Sequence, residues 1–453
     1  MAERTIAAIA TALGEASIGV IRISGENAIS IADKVFTAYS GKKLIELDGY
    51  SAAYGKIVDN DETIDDAVAL VFKAPKSYTG ENVVEISVHG GTLILRKVLR
   101  MLIANGANNA EAGEFTKRAF LNGKFDLTKA ESIMGLISAK SETQLKISRA
   151  SHNGRLAKNI EKVQNDLLKA AASIAAYADY PDEDIEDLNP ENFGKMLKDS
   201  ANSLQKVLDT FNAGKIIREG VDTVIVGKPN VGKSTLMNML SGYERSIVTE
   251  IAGTTRDVIE DTVTLGDIVL NLADTAGIHE TEDTVEKLGV ERAKERIETA
   301  GLVLAVFDCS KPLDNDDFEL LESVKGQNTV AIINKTDIGL NADMSVFNGI
   351  KTVSASAKVG KGYDELVEAV TEICKINNID ADAAVLLNER QFNCASRALS
   401  ALISANEALE SGCTVDAVGV CVDDALSALL ELTGKRVTNE VTDEIFRRFC
   451  VGK

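Results

Sequence analysis

The sequence predicts a multidomain fold in which two α/β domains are combined with an all-α domain. Three observations predict it. Residues 1–118 mix short strand-like runs with a helical pattern, residues 216–380 alternate strand-like and helical patterns, and helical patterns dominate on both sides of that second stretch. A chain of 453 residues is expected to form about three domains.

The first predicted domain, residues 1–118, reads as a small α/β unit. Apolar and β-branched residues are concentrated in short runs, as in strands, and one longer segment has helical spacing. The predicted elements are the strands Gly19–Ile23, Ala67–Phe72 and Val83–Val88 and the helix Leu93–Ala104.

The helical pattern has a first part at residues 119–215. Thr128 and Glu131 have the spacing of a capping box, which predicts a helix start there. An acidic segment at 181–190 interrupts the pattern, and we expect a solvated connection. A second part at 381–453 repeats the helical spacing. The apolar positions on helical faces are Leu156, Ile160, Val163, Leu167, Ala171 and Ile174 in the first part and Ala425, Leu426, Leu429 and Leu430 in the second.

Between these parts, residues 216–380 have the pattern of a doubly wound sheet. Continuous apolar runs suit buried parallel strands. The economical interpretation is that this unit is inserted into one helical domain, whose two parts complete a single bundle. Two separate helical appendages remain the alternative. The runs are Thr223–Val226, Val269–Ala273, Leu302–Phe307 and Val330–Ile333.

Composition limits the function classes. A net charge of −20 and a pI near 4.8 argue against general affinity for polyanions, so any nucleic-acid contact needs a local basic patch or a partner's surface. Six cysteines without a CxxC pair and three histidines make a zinc site improbable and indicate a reducing compartment. No apolar run approaches a membrane span and no convincing signal peptide is present, so we expect a cytoplasmic protein.

The segment from Gly227 to Ser234, GKPNVGKS, has the spacing of a phosphate-binding loop after the first strand of the inserted unit. Its glycines allow the backbone to approach phosphates, and the helix that follows directs its amides at them. Lys233 would neutralise the β- and γ-phosphates, and Ser234 would bind Mg²⁺. Such a loop alone serves ATP or GTP.

Later motifs point to guanine. In Asn334-Lys-Thr-Asp337, a carboxylate can accept the two hydrogens that guanine offers and adenine does not, which permits steep discrimination. Asp274 of the DxxG segment suits the metal's water shell, and Thr255 suits a switch ligand for Mg²⁺. We therefore predict GTP binding. The predicted residues are Asn230, Val231, Gly232, Lys233, Ser234, Thr235, Thr249, Thr255, Asp274, Gly277, Asn334, Lys335, Asp337, Ser356, Ala357 and Lys358.

Hydrolysis requires a group that orients the attacking water. Signalling GTPases use a Gln close to the DxxG glycine, but Ile278 and His279 follow Gly277 here. Acidic residues lie just downstream, and composition does not choose among them. They are Glu280, Glu282, Asp283 and Glu286.

Further segments carry a resemblance that runs essentially from end to end. They are Ile21–Gly25, Pro75–Glu81, His89–Gly91, Gly113–Lys124, Ile251–Asp257 and Phe449–Lys453. With the nucleotide motifs, they make the sequence similar to the MnmE (TrmE) family of tRNA-modification GTPases. The resemblance implies an N-terminal α/β domain that binds folate and dimerises, a helical bundle domain, and an inserted Ras-like P-loop GTPase domain.

The resemblance also implies site residues. Glu286, twelve residues after Asp274, matches the family's water-orienting glutamate. A K⁺ ion would take the place of an arginine finger between paired GTPase domains, held by Asn230, Thr249, Ile251 and Thr254. A tetrahydrofolate derivative, 5-formyl or 5,10-methylene, would lie near Arg22, Glu85, Lys124 and Lys453. Ordinary surface ion pairs would otherwise explain those four residues.

Cys450 matches a near-terminal thiol of the family for which redox or covalent chemistry is implied. Without the resemblance it reads as a small hydrophobe. Three features depart from the family pattern: His279 stands where an Arg is expected, Ala112 where a Pro is expected, and the loop at 11–15 lacks a Pro. These departures put one switch contact and the loop rigidity near the folate site in question.

The function implied is that of a K⁺-stimulated, Mg²⁺-dependent GTPase that works as a homodimer. With the flavoprotein MnmG (GidA), it would modify C5 of the wobble uridine in certain tRNAs, using a folate one-carbon unit. The tRNA would be contacted largely through that complex. Two alternatives stay open: a ribosome-assembly GTPase that acts as an RNA-binding switch, and a nucleotide-gated scaffold without folate chemistry of its own.

Overall fold

The computed structural model describes residues 4–179, 189–243, 261–272, 296–374 and 384–453. It contains an N-terminal α/β domain, helices on both sides of an inserted α/β domain, and two separate sheets. This is the fold class that the sequence predicts. The domain limits at residues 118, 215 and 380 stay predictions.

The N-terminal domain has a seven-stranded sheet in the order β3-β4-β5-β6-β2-β1-β7. Neighbouring strands are antiparallel, except that β1 and β7 are parallel. Its elements are β1 Ile6–Ile9, β2 Gly19–Ser24, α1 Ala28–Ala32, β3 Phe36–Ala38, a 3₁₀ turn Leu44–Glu46, β4 Ser51–Asp59, β5 Glu62–Phe72, β6 Val83–Val88, α2 Thr92–Ala104, β7 Asn108–Asn109 and α3 Glu114–Leu121.

The apolar face of α2 explains which side of this sheet is covered. Leu95, Val98 and Leu102 recur at helical spacing and are buried against the sheet's core residues. The opposite face of β2 and β6 is a mixture of apolar and polar residues, and the register places Arg22 directly across from Glu85. Because side chains of paired residues point to the same face of a sheet, both lie on one face.

The first part of the helical domain contains α4 Leu127–Ser138, α5 Glu142–His152, α6 Arg155–Asp179, α7 Pro190–Leu208 and α8 Phe211–Glu219. The predicted capping box at Thr128 is wrong. Asp126 is the N-cap, and its carboxylate accepts from the amide of Lys129. The Thr128 hydroxyl donates to Asp126, and the Glu131 carboxylate points elsewhere, to Arg390.

The inserted domain has a six-stranded sheet in the order β13-β12-β11-β8-β10-β9, in which β9 alone among the described strands runs antiparallel to its neighbour. Its predicted strands are present, and their described ends differ from the predicted ones by at most two residues; Ala273, the predicted end of one strand, lies outside the described residues. The elements are β8 Val221–Val226, α9 Lys233–Tyr243, β9 Asp261–Leu265, β10 Ile268–Leu272, β11 Leu302–Asp308, α10 Asn315–Ser323, β12 Thr329–Asn334, a 3₁₀ turn Met344–Phe347, β13 Lys351–Ser354 and α11 Tyr363–Ile373.

Three helices follow the insertion: α12 Glu389–Glu410, α13 Val415–Thr433 and α14 Asn439–Arg447. Of these, α12 and α13 share one buried cluster with α6 and α7, which precede the insertion. Leu156 of α6 and Phe193 of α7 are buried together with Leu402 of α12 and Leu429 of α13. The two parts therefore form one bundle rather than separate appendages. Among the described helices, none is long and apolar enough to cross a membrane.

Candidate nucleotide-binding site

The phosphate loop lies between the carboxyl end of β8 and α9, where a doubly wound sheet places its ligand. Gly227 has φ +151° and Gly232 has φ +106°. A Cβ at Gly227 would lie 2.5 Å from the Val306 carbonyl oxygen, and one at Gly232 would lie 2.2 Å from the side-chain nitrogen of Asn334. Both positions require glycine, and the loop has the shape that close approach to phosphates demands.

Lys233 is the first residue of α9, and its ammonium group is turned back into the loop. It donates to the carbonyl oxygens of Gly227 and Lys228 at 2.7 and 2.8 Å. Burial lowers its pKa. The chain thus holds a partly desolvated positive charge at the N-terminus of α9, an arrangement suited to a phosphate.

A second lysine anchors the loop from outside. Lys228 donates to Asp314 at 2.6 Å and to Asp317 at 2.7 Å, both at the start of α10. Burial acts to lower the Lys228 pKa, but bonds to the two carboxylates outweigh it, and the pKa is raised. This ion pair ties the loop to the neighbouring helix.

Asn334 joins the phosphate loop to the segment 356–358, which belongs to the predicted GTP-binding residues. It is buried at the carboxyl end of β12. Its amide group donates to the Val231 carbonyl oxygen at 2.8 Å, and its carbonyl oxygen accepts from the Ala357 amide at 3.1 Å. One side chain therefore sets the spacing of both loops.

Asp337 is exposed, and its carboxylate accepts from the buried Ser356 hydroxyl at 2.6 Å. That hydrogen bond lowers its pKa, so the group is a carboxylate at neutral pH, as the predicted recognition of guanine requires. Lys358 is exposed beside it. The structure brings the predicted Asn334, Asp337 and 356–358 residues together at one end of the sheet.

Sequence reasoning missed Asp308, the last residue of β11. Its carboxylate accepts from Lys335 at 2.7 Å, and the same ammonium group donates to the Asn230 carbonyl oxygen at 2.8 Å. Burial acts to raise the Asp308 pKa, but bonds from Lys335 and Ser310 outweigh it and leave the pKa lowered. A signal existed: an acid at the carboxyl end of a buried parallel strand lies where such sheets bind ligands.

Part of the predicted set lies outside the described residues. Of the two predicted Mg²⁺ ligands, Ser234 is exposed in the first turn of α9, beside Thr235. Of the four predicted K⁺ ligands, Asn230 is exposed, with a left-handed φ of +62°. The predicted site residues that lie outside the described part of the chain are Thr249, Ile251, Thr254, Thr255, Asp274, Gly277 and Glu286.

The N-terminal domain holds a separate polar cluster. Arg22 bonds Glu85 through its Nε and also donates to the Gly452 carbonyl oxygen at 3.3 Å. Its guanidinium group lies 5.2 Å from the ring centre of Tyr78 and 5.6 Å from that of Phe115, within the range of cation–π attraction. All four contacts join segments that are far apart in sequence.

The two predicted lysines border this cluster in different ways. The Lys124 ammonium group donates to the Pro75 carbonyl oxygen at 3.0 Å, in the same loop as Tyr78. The Lys453 carbonyl oxygen accepts from the Phe115 amide at 3.2 Å. The structure thus joins Arg22 and Glu85 directly. Lys124 lies on a segment that contacts the loop of Tyr78, and Lys453 lies on a segment that contacts Phe115.

Cys450 is exposed, and its carbonyl oxygen accepts from the Gly113 amide at 3.3 Å. Ala112, where the family pattern has a Pro, forms an antiparallel bridge with Val451. Gly452 has φ +96°, and a Cβ there would lie 2.5 Å from the Ile9 carbonyl oxygen. The segment after α14 is therefore packed closely against the N-terminal domain.

Comparison with known proteins identifies the family. The model of the MnmE helical domain matches residues 127–450, and the model of the GTP-binding protein TrmE N-terminus matches residues 5–124. Proteins called tRNA modification GTPase MnmE are 42% identical in Alkaliphilus metalliredigens and 39% in Clostridioides difficile, each over 99% of both chains. A third, from Carboxydothermus hydrogenoformans, is 41% identical over the full length of both. The chain therefore belongs to the MnmE family of tRNA modification GTPases.

Proposed function

We propose that the protein binds and hydrolyses GTP in the inserted domain. The observation that carries this proposal is the double hydrogen bond of buried Asn334, which links the phosphate loop to the loop beside Asp337. A phosphate site and a guanine-selective carboxylate are thereby held at a fixed separation. Family membership supports the same activity.

Calorimetry with the full chain tests the first step. GTP should bind far more tightly than ATP, because adenine leaves the Asp337 carboxylate without its two donors. Equal affinity for ATP and GTP, or no binding of either, would refute the proposal.

For hydrolysis, we propose that Mg²⁺ held by Ser234 and Thr255 and K⁺ held by Asn230, Thr249, Ile251 and Thr254 neutralise the charge that spreads over the transferring phosphoryl group. The Asn230 carbonyl oxygen is fixed by Lys335, which supports a defined position for its side chain. Turnover should fall sharply when Na⁺ replaces K⁺ at constant ionic strength. Equal rates in the two salts would remove K⁺ from the mechanism.

Glu286 is proposed to orient the attacking water. Glu286→Ala should bind GTP normally and lower kcat on the order of a hundredfold, the usual contribution of a positioned acid or base. Glu282→Ala provides a matched comparison, because it removes an acid four residues away. A loss of turnover in that variant instead would transfer the role to Glu282.

We propose further that the protein works as a homodimer with MnmG (GidA) to modify C5 of the wobble uridine in certain tRNAs. The Arg22–Glu85 pair, with half-buried Tyr78 beside it, offers charge and an aromatic ring suited to a tetrahydrofolate derivative, whereas Phe115 is fully buried and only packs against Arg22. Arg22 and the two lysines, Lys124 and Lys453, would pair with its carboxylates, and Glu85 would accept from its pterin ring.

Binding of 5-formyltetrahydrofolate to the full chain, followed at equilibrium, tests this site. A reconstituted assay with MnmG, tRNA, folate and GTP then tests the coupling, and Cys450→Ser tests whether the thiol takes part. If modification proceeds without folate binding to this chain, the alternative of a GTPase switch or scaffold without folate chemistry is favoured.

A further inference from the structure

One exposed helix face has a charge opposite to that of the whole protein. Residues 140–169 hold seven Lys and Arg and three Asp and Glu, whereas the chain has 49 and 69. Four of the basic residues lie on α6, which is 25 residues long. The basic stripe, as we define it here, is Arg155, Lys158, Lys162, Asn165 and Lys169.

The spacing of the basic stripe puts it on the solvent side of α6. Its members recur at intervals of three or four residues, so they share one helical face. All five are exposed. The buried residues Leu156, Ile160, Val163 and Leu167 form the opposite face, against the bundle core. Between Arg155 and Lys169 the helix rises about 21 Å.

No member of the basic stripe forms an ion pair with any carboxylate in the described part of the chain. The acid beside the stripe, Glu161, is paired with Lys435 instead, and Asp166 lies half-buried at its border. Like charges at i, i+4, such as Lys158 and Lys162, destabilise a helix slightly. Within the described residues, the charges of the basic stripe are thus left without an ion pair.

The chemistry of the basic stripe fits a polyanion better than a protein. Protein interfaces are depleted in Lys and depend on buried aromatic anchors, and the stripe contains no aromatic residue. Because single-stranded nucleic acid is bound through stacking on aromatic rings, the stripe also does not suit unpaired bases. A row of three ammonium groups and one guanidinium group along a helix suits the phosphates of a double-helical RNA stem.

We propose that the basic stripe on α6 is a docking surface of this chain for the phosphate backbone of a tRNA stem. The inference rests on the proposed tRNA function. It adds that the protein itself contacts the RNA, at one face of the helical domain, although its net charge of −20 opposes RNA elsewhere. Association at this surface depends strongly on salt, since each neutralised phosphate releases counterions.

The test compares two full-length variants with the same change in net charge. Lys158→Glu/Lys162→Glu reverses two charges of the stripe. Lys195→Glu/Lys206→Glu reverses two exposed lysines of α7, which likewise have no ion pair among the described residues. Binding of an unmodified tRNA transcript is measured by fluorescence anisotropy from 50 to 200 mM KCl. GTP affinity, by calorimetry, checks that both variants are folded.

The stripe variant should bind tRNA more weakly, on the order of tenfold at 0.1 M salt for each lysine–phosphate pair that the substitutions break. Its slope of log K against log salt should fall by about 0.9 for each such pair. The α7 variant should match the wild type. Equally weakened binding in both variants, or unchanged binding in both, would overturn the proposal. So would a stripe variant that keeps its tRNA affinity but no longer binds MnmG, because the face would then dock a protein.

The proposed function fails separately. If the wild-type chain alone does not bind tRNA at 50 mM KCl, the docking surface is refuted, whereas the reconstituted modification assay with MnmG still decides the proposed function. If that assay shows no modification, but the stripe variant loses tRNA binding and the α7 variant keeps it, the docking surface is supported and the proposed function is refuted.

Discussion

Replacing Asn334 by Ala is the sharpest test of how the nucleotide site is assembled. The change removes the donor to the Val231 carbonyl oxygen and the acceptor of the Ala357 amide. Both residues are buried, at 3% and 7% exposure. Neither backbone group gains access to water without movement of its loop.

Each unsatisfied buried backbone group costs about 1–3 kcal/mol, so the two together cost roughly 2–6 kcal/mol. If the loops stay in place only when nucleotide is bound, this cost is taken from GTP affinity. At about 1.4 kcal/mol per tenfold change, the Kd should rise by between one and four orders of magnitude. If the loops stay in place without nucleotide, the same cost instead lowers the free energy of unfolding.

Titration calorimetry with GTP and urea unfolding of the nucleotide-free protein measure both quantities. Asn341→Ala is the matched control, because Asn341 also donates to a carbonyl oxygen, that of Ser310 at 2.8 Å, but in an exposed position. It should change either quantity by less than about 0.5 kcal/mol, as a surface substitution does. An Asn334→Ala protein with wild-type GTP affinity and wild-type stability would refute the reasoning.

Three further outcomes are expected. Asp337→Asn should weaken GTP binding and favour xanthosine triphosphate, because an amide can donate to the oxygen that xanthine has in place of guanine's amino group; a calorimetric preference still for GTP would contradict this. Glu131→Gln should lower the free energy of unfolding in urea by about 3–5 kcal/mol, and adding Arg390→Met should restore much of it, whereas additive destabilisation would argue against a coupled pair. Arg22→Ala should reduce 5-formyltetrahydrofolate affinity while Arg96→Ala, a change at an exposed arginine of α2, should not; equal affinities would exclude Arg22 from the site.

Local patterns predicted the fold well where a segment's own side chains decide its structure. The strand predicted at Val83–Val88 has the same limits in the structure, because its β-branched residues alternate with Glu85 and Ser87 between polar loops, a spacing that suits a strand. The phosphate loop could equally be predicted from the sequence. Val306 and Asn334 approach Gly227 and Gly232 too closely for a side chain there, so glycine is required at both positions.

Local sequence patterns gave a wrong prediction where a residue far away in the sequence determines the structure. Thr128 and Glu131 match a capping box, yet Asp126 competes successfully for the helix start. Glu131 instead forms two hydrogen bonds with Arg390, 259 residues away. Asp308 likewise has a distant partner, Lys335, which directly follows β12. Spacing along one segment carries no information about such partners.

These distant contacts bear on how the inserted domain is attached to the bundle. Gln144 of α5 is buried, and its amide group donates to the Ile217 carbonyl oxygen at 2.7 Å, near the end of the helix that leads into the insertion. Glu131 of α4 holds Arg390 at the start of α12, the helix that follows the insertion. The chain segments that enter and leave the inserted domain are therefore both fixed to the adjacent helices α4 and α5.

A small apolar cluster completes this junction, and it joins Ile147 of α5 and Ile217 of α8 to Val385 and Leu387 of the segment before α12. Since α4 follows the N-terminal domain by only a short connection, the same two helices contact both ends of the insertion and border the domain that holds Arg22. If the inserted domain shifts as a rigid body, the buried contacts at both of its ends must either be kept together or be exchanged together. A movement of the inserted domain relative to the bundle would therefore act first on the contacts of this junction.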